Sequence, residues 1–107
     1  MNKEEADFAV FLDSLPQVHY WVRNLERNVY SFWLPIPIGR FYPDFVALLT
    51  DGRFLVVESK GAPSVHTADT KIKKIVGEKW AAKSGGTCIF RLVTKDDYQD
   101  ALRAAVQ

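Results

Sequence analysis

The chain has 107 residues, enough for one domain with a modest core, and its 48% hydrophobic, 25% charged composition excludes a disordered or fibrous class. Fourteen Lys and Arg against thirteen Asp and Glu give a formal net charge of +1, so no overall basic field exists and any site for a polyanion must be local. Cys88 is the only cysteine, which excludes an intrachain disulfide or a cysteine-based zinc site and suits a reducing compartment.

In chain order, Phe8, Phe11, Leu12 and Leu15 fall at helical spacing and predict a first helix over residues 3 to 14. Pro16 breaks it, and Val18, Trp21, Val22 and Leu25 predict a second short helix. The aromatic and β-branched stretch NVYSFWLPI predicts a strand from about Val29 to Leu34, ended by Pro35 and Pro37. RFYPDFVALLT and RFLVVESK flank Asp51-Gly52, the strongest hairpin signal in the chain, and predict the next two strands. ADTKIKKIVGEKWAAKSGG predicts a long helix with Ile72, Ile75, Val76 and Trp80 on one face, stopped by glycine. TCIFRLV predicts a fourth strand and DDYQDALRAAV a closing amphipathic helix, for an order ααβββαβα. The start, MNKEEADFAVFLDSL, carries acids where a secretory signal carries bases, and no apolar run approaches the roughly 20 residues of a membrane span. A cytoplasmic single domain over residues 1–107, without membrane contact, is the expectation.

Alternate strand residues share a face, so Glu58 and Lys60 point the same way as Phe54 and Val56, while Leu55 and Val57 point the other way. A strand apolar on both faces is covered on both, where an unpaired Glu or Lys costs several kcal/mol. A two-residue turn at Asp51-Gly52 would set Asp44 opposite Ser59, on the wrong face for Glu58. A three-residue loop, Thr50-Asp51-Gly52 with Gly52 left-handed, pairs Leu49 with Arg53 and brings Asp44 opposite Glu58. In that register two carboxylates and an ammonium meet at one end of a hairpin. Such a set suits a hard divalent cation, which takes one or two carboxylates and water, and a phosphate substrate that Lys60 can face.

Pro43-Asp44 followed by Glu58-Ser59-Lys60 resembles the signature of the PD-(D/E)xK nuclease superfamily. The predicted elements are likewise similar to its restriction-endonuclease-like αβββαβ core, a mixed four-stranded sheet flanked by helices. More narrowly, YWVRNLER, SFWLP, YPDF, DGRFLVVESKG and EKWA, in that order over roughly residues 16 to 83, resemble the C-terminal endonuclease domain of type III restriction enzymes. The resemblance implies a Mg²⁺-dependent endodeoxyribonuclease, with Mn²⁺ able to substitute. It implies Asp44 and Glu58 as metal ligands, the Ser59 carbonyl as a further ligand, Lys60 as the catalytic lysine and Glu26 as the first-helix acid. It also implies DNA as substrate, a helicase-type motor and a methylation subunit as partners, and a transient dimer for double-strand cleavage. The alternative is a catalytically silent nuclease fold that binds DNA or protein, or a nuclease acting on RNA.

Other residues carry weaker signals. Glu26 follows His19 and Val22 by helical steps, yet Arg23 and Arg27 fit a solvated ion pair with it equally well. Lys71, Lys73 and Lys74, near the start of the long helix, could meet phosphates, with Lys71 and Lys74 the candidate contacts, set against the ordinary solvated face of a helix. His19 and His66 show no ligand-like spacing, and Trp21, Trp33 and Trp80 sit in apolar patterns that read as core.

Overall fold

The computed structural model describes residues 1–107. Helix α1 (Lys3–Ser14) starts at Asn2, whose side chain accepts a hydrogen bond from the Glu5 N–H, and Glu4 and Glu5 complement the dipole of its first turn. Strands β1 (Val18–Arg23), β2 (Leu34–Pro35), β3 (Arg40–Phe41), β4 (Phe45–Leu49) and β5 (Phe54–Ser59) follow. A short 3₁₀ turn at Ala62–Ser64 leads to helix α2 (Ala68–Ala82), then strand β6 (Cys88–Val93) and helix α3 (Tyr98–Ala105). No helix is long and apolar enough to cross a membrane.

The main sheet runs β1-β4-β5-β6, antiparallel except between β5 and β6, where α2 provides the crossover that parallel strands need. Strands β2 and β3 form a separate two-stranded sheet. One face of the main sheet packs Phe45, Ala47, Leu55, Val57 and Val93 against Phe8 and Leu12 of α1 and Leu102 and Ala105 of α3. On the other face Val56 and Phe90 meet Leu34, Phe41 and the α2 residues Val76 and Trp80. Strand β5 is therefore apolar at consecutive positions because both its faces are covered. Each such Leu, Val or Phe contributes about 1.5–3 kcal/mol by leaving water.

The hairpin has the longer loop. Phe45 pairs with Val57 and Leu48 with Phe54, so one further step at each end sets Leu49 opposite Arg53 and Asp44 opposite Glu58. The Leu49 N–H donates to the Arg53 carbonyl at 2.8 Å, the Gly52 N–H donates to the Leu49 carbonyl at 3.0 Å, and Gly52 sits at φ 91°. Only a residue without Cβ adopts that conformation cheaply.

Three expectations need correction. Residues 18–23 form a strand, not a second helix: a bulge between Val18 and Tyr20 puts the inward-facing Val18 and Trp21 three residues apart, which imitates helical spacing. Residues 29–33 form no strand: the buried Asn24 amide satisfies Phe32, donating to its carbonyl at 2.8 Å and accepting from its N–H at 3.0 Å, while the Tyr30 and Ser31 N–H groups donate to Asn28. With the β2–β3 pair set aside, the element order is α-β-β-β-α-β-α, and β1 takes the place foreseen for residues 29–34. On α2, Ile72 and Ile75 are exposed, and the inward face runs through Thr70, Val76, Gly77 and Trp80.

Gly77 is the point of closest helix-to-sheet approach. A Cβ there would lie 2.6 Å from ring atoms of Phe90, so the ring or the helix must move. Gly77→Ala is expected to lower stability by about 1–3 kcal/mol despite alanine's better helix propensity. A thermal melt of the variant at or above that of wild type would show that α2 can ride up on the sheet without loss.

Candidate active site

The hairpin brings Asp44, Glu58 and Lys60 to one cleft of about 310 Å³, whose other walls include Arg23, Asn24, Glu26, Arg40, Tyr42 and Lys73. Asp44 leaves the chain between Pro43 and β4, and its position is fixed from three sides. Its Oδ2 accepts from the Ser59 N–H at 2.9 Å and the Ser59 hydroxyl at 2.7 Å, and its Oδ1 lies 3.5 Å from Arg23 Nη1. Its carbonyl accepts from the Asn24 N–H at 2.8 Å and from Arg23 Nη1 at 3.0 Å. Arg23 in turn reaches α1, where its Nη2 meets Glu5 Oε2 at 3.0 Å.

Glu58 is different, being only 5% exposed. Its Oε2 lies 3.4 Å from Lys60 Nζ, and its Oε1 is buried with no hydrogen-bond partner at all. Burial, and then the charge of the neighbouring Asp44 carboxylate together with a hydrogen bond that the protonated Glu58 carboxyl can share with it, push Glu58 from 4.5 up to about 8, against the opposing pull of Lys60 and Lys73. A buried acceptor without a donor costs about 1–3 kcal/mol, and native chains seldom leave one without a reason.

A divalent cation would supply that reason. No group of three His, Cys, Asp or Glu side chains lies together, so the donor set is two carboxylates with backbone or water oxygens. That set still fits Mg²⁺, which commonly takes one or two carboxylates and keeps several waters. Its charge would hold the Glu58 carboxyl ionised beside Asp44 and give Oε1 a partner.

The remaining expected residues are placed as follows. Ser59 lies between Glu58 and Lys60, with its N–H and hydroxyl both engaged by Asp44. Glu26 lines the cleft, but from the exposed segment after β1 and not from a helix; the acid that α1 sends toward the site is Glu5, acting through Arg23. Lys71 and Lys74 are exposed and stand outside the cleft. It is Lys73 that enters, with Nζ 3.0 Å from Asp69 and 5.4 Å from the centre of the Phe41 ring. Arg23, Asn24, Arg40 and Tyr42 are cleft residues that the sequence reading did not select. With β1 read as a strand paired to β4, Arg23 falls opposite Phe45, one residue from Asp44, and becomes visible. The chain matches no known family, no characterised protein and no solved structure.

Proposed function

We propose that the chain is a metal-dependent endodeoxyribonuclease domain of PD-(D/E)xK type, similar to the cleavage module of type III restriction enzymes. The observation that carries this reading is the buried, partnerless Oε1 of Glu58, opposite Asp44 in register and beside Lys60. Asp44, Glu58 and the Ser59 carbonyl would hold Mg²⁺, with Mn²⁺ as substitute. A bound divalent cation supplies stabilisation of the phosphoryl oxygens and an acidified water. Ser59 keeps the Asp44 carboxylate aimed into the cleft, and Arg23 braces it from α1. Lys60 orients the attacking water and stabilises negative charge as it develops on the phosphoryl group. The attacking water gives up a proton to solvent as its oxygen bonds to phosphorus, the bond to one ester oxygen of the strand breaks, and that oxygen takes a proton from solvent to leave as a hydroxyl end.

One site cuts one strand, and a chain of net charge +1 supplies few phosphate contacts. In this reading a motor and a methylation subunit bring the DNA, and a second cleavage domain serves the other strand by raised local concentration. A second reading, DNA or protein binding without turnover, is favoured by Arg23, whose guanidinium already stands 3.5 Å from Asp44 Oδ1. Supercoiled plasmid separates the two. The purified domain with Mg²⁺ at low salt is expected to yield nicked circles slowly, to stop on addition of a chelator, and to weaken as salt rises. Plasmid retained in a gel-shift assay but never nicked, with either Mg²⁺ or Mn²⁺, would refute the enzyme and leave the binding module.

A further inference from the structure

We propose that a groove walled by Arg27 and Arg40, running outward from the cleft, holds the DNA backbone beside the scissile phosphate; this rests on the nuclease reading. A second hollow of about 360 Å³ is lined by Glu26, Arg27, Ile38, Gly39, Arg40 and Tyr42. Three of these, Glu26, Arg40 and Tyr42, also line the cleft, so the two spaces adjoin along a shared wall. A strand whose reacting phosphate sits by Lys60 can continue past Tyr42 into this hollow.

The two arginines are set apart from the other four. Arg23, Arg53 and Arg103 pair with carboxylates, and Arg91 donates to the Phe90 carbonyl. The guanidinium groups of Arg27 and Arg40 make no ion pair or hydrogen bond within the chain, and both are exposed, so the fold does not need their charge. Arg40 is nevertheless ordered: its guanidinium stacks on the Trp33 ring, 4.1 Å from the centroid. Stacking occupies a face of the plane and leaves the N–H fork at its edge free, in the geometry that matches phosphate oxygens. Arg27 sits at φ 59°, the only non-glycine residue with a positive value, in a region that L-residues of this kind seldom adopt. Such backbone strain clusters at ligand clamps and active sites, and here it carries an unpaired charge at the rim of a cleft. The chemistry recognised is the phosphodiester backbone, independent of base sequence.

The test is fluorescence anisotropy on a labelled DNA duplex in chelator, where nothing is cut. Arg27→Gly combined with Arg40→Gln is the variant of choice, since glycine relaxes the backbone at position 27 and the fold should melt no lower than wild type. Two lost contacts should weaken binding about 10-fold or more at low salt and flatten the log–log salt slope by about 1.8. The control, Lys79→Ala with Lys83→Ala, removes the same charge from the far end of α2 and should leave most of the slope intact. Unchanged affinity and slope in the arginine variant, an equal loss in the lysine control, or no binding by wild type would each overturn the groove. The plasmid assay distinguishes the two readings. Nicking with normal binding by the arginine variant leaves the nuclease and removes the groove, whereas arginine-dependent binding without nicking does the reverse.

Discussion

Glu58→Gln is expected to lower Mg²⁺-dependent nicking by about 10³-fold or more, while raising the melting temperature of the metal-free domain at pH 8. The first effect follows from loss of the charged ligand that the proposed cation would use. The second follows from where the wild-type carboxyl titrates, about 8 in the fold against 4.5 in water. Between those values the unfolded chain has released a proton that the folded chain still holds. Stability therefore falls as pH rises from about 4.5 to about 8 and levels off above that, with nothing lost below the lower value. At about 1.4 kcal/mol per unit, the loss by pH 8 is on the order of a few kcal/mol. Glutamine has no proton to lose, so calorimetric melts of variant and wild type should agree near pH 4.5 and diverge steadily above it. The proposed cation would bind the ionised carboxylate, so Mg²⁺ should raise the wild-type melting temperature more at pH 8 than at pH 6 and leave the variant unmoved. A variant that melts below wild type at pH 8 would show that Glu58 is satisfied in the apo fold, and the cation role would fall with it.

Lys60→Ala should reduce nicking by about 10³-fold at saturating Mg²⁺ without unfolding the domain. Its ammonium does two things that can be separated. At 3.4 Å from Glu58 Oε2 it holds the Glu58 titration lower than burial alone would set it, so its removal shifts cation binding to higher pH. It also faces the space that a phosphoryl group would fill. Raising both pH and Mg²⁺ restores the first contribution and not the second. Nicking rates at pH 8.5 over a wide Mg²⁺ range should therefore stay low in the variant. Recovery to within a few-fold of wild type would reduce Lys60 to a tuner of Glu58.

Much of this site was legible in the sequence because its parts lie at strand ends joined by one short loop. Face parity at Glu58 and Lys60 and the need to bring Asp44 alongside them required a three-residue loop with Gly52 left-handed, and the hairpin has it. The missing parts have identifiable causes. The bulge in β1 spaced Val18 and Trp21 like a helix, and misreading it hid Arg23, Asn24 and the bridge to Glu5. The aromatic run around Phe32 looked like a strand because nothing local reveals that a distant amide, Asn24, will take over its backbone hydrogen bonds. On α2 the phase was set by Ile72 and Ile75, which face water, while the tightest contact belongs to Gly77, a residue with no side chain to announce it.

The register of the β4–β5 hairpin makes the site all-or-none. Ser59 clamps Asp44 from the position between Glu58 and Lys60, so a slip by a single residue reverses which side chains face the cleft and breaks the clamp in the same movement. A misfolded copy is thus silent rather than sluggish. With the proposed cleavage, the specific activity of a refolded preparation would count the molecules whose hairpin closed in the right frame, and the chemistry would serve as an assay of the fold.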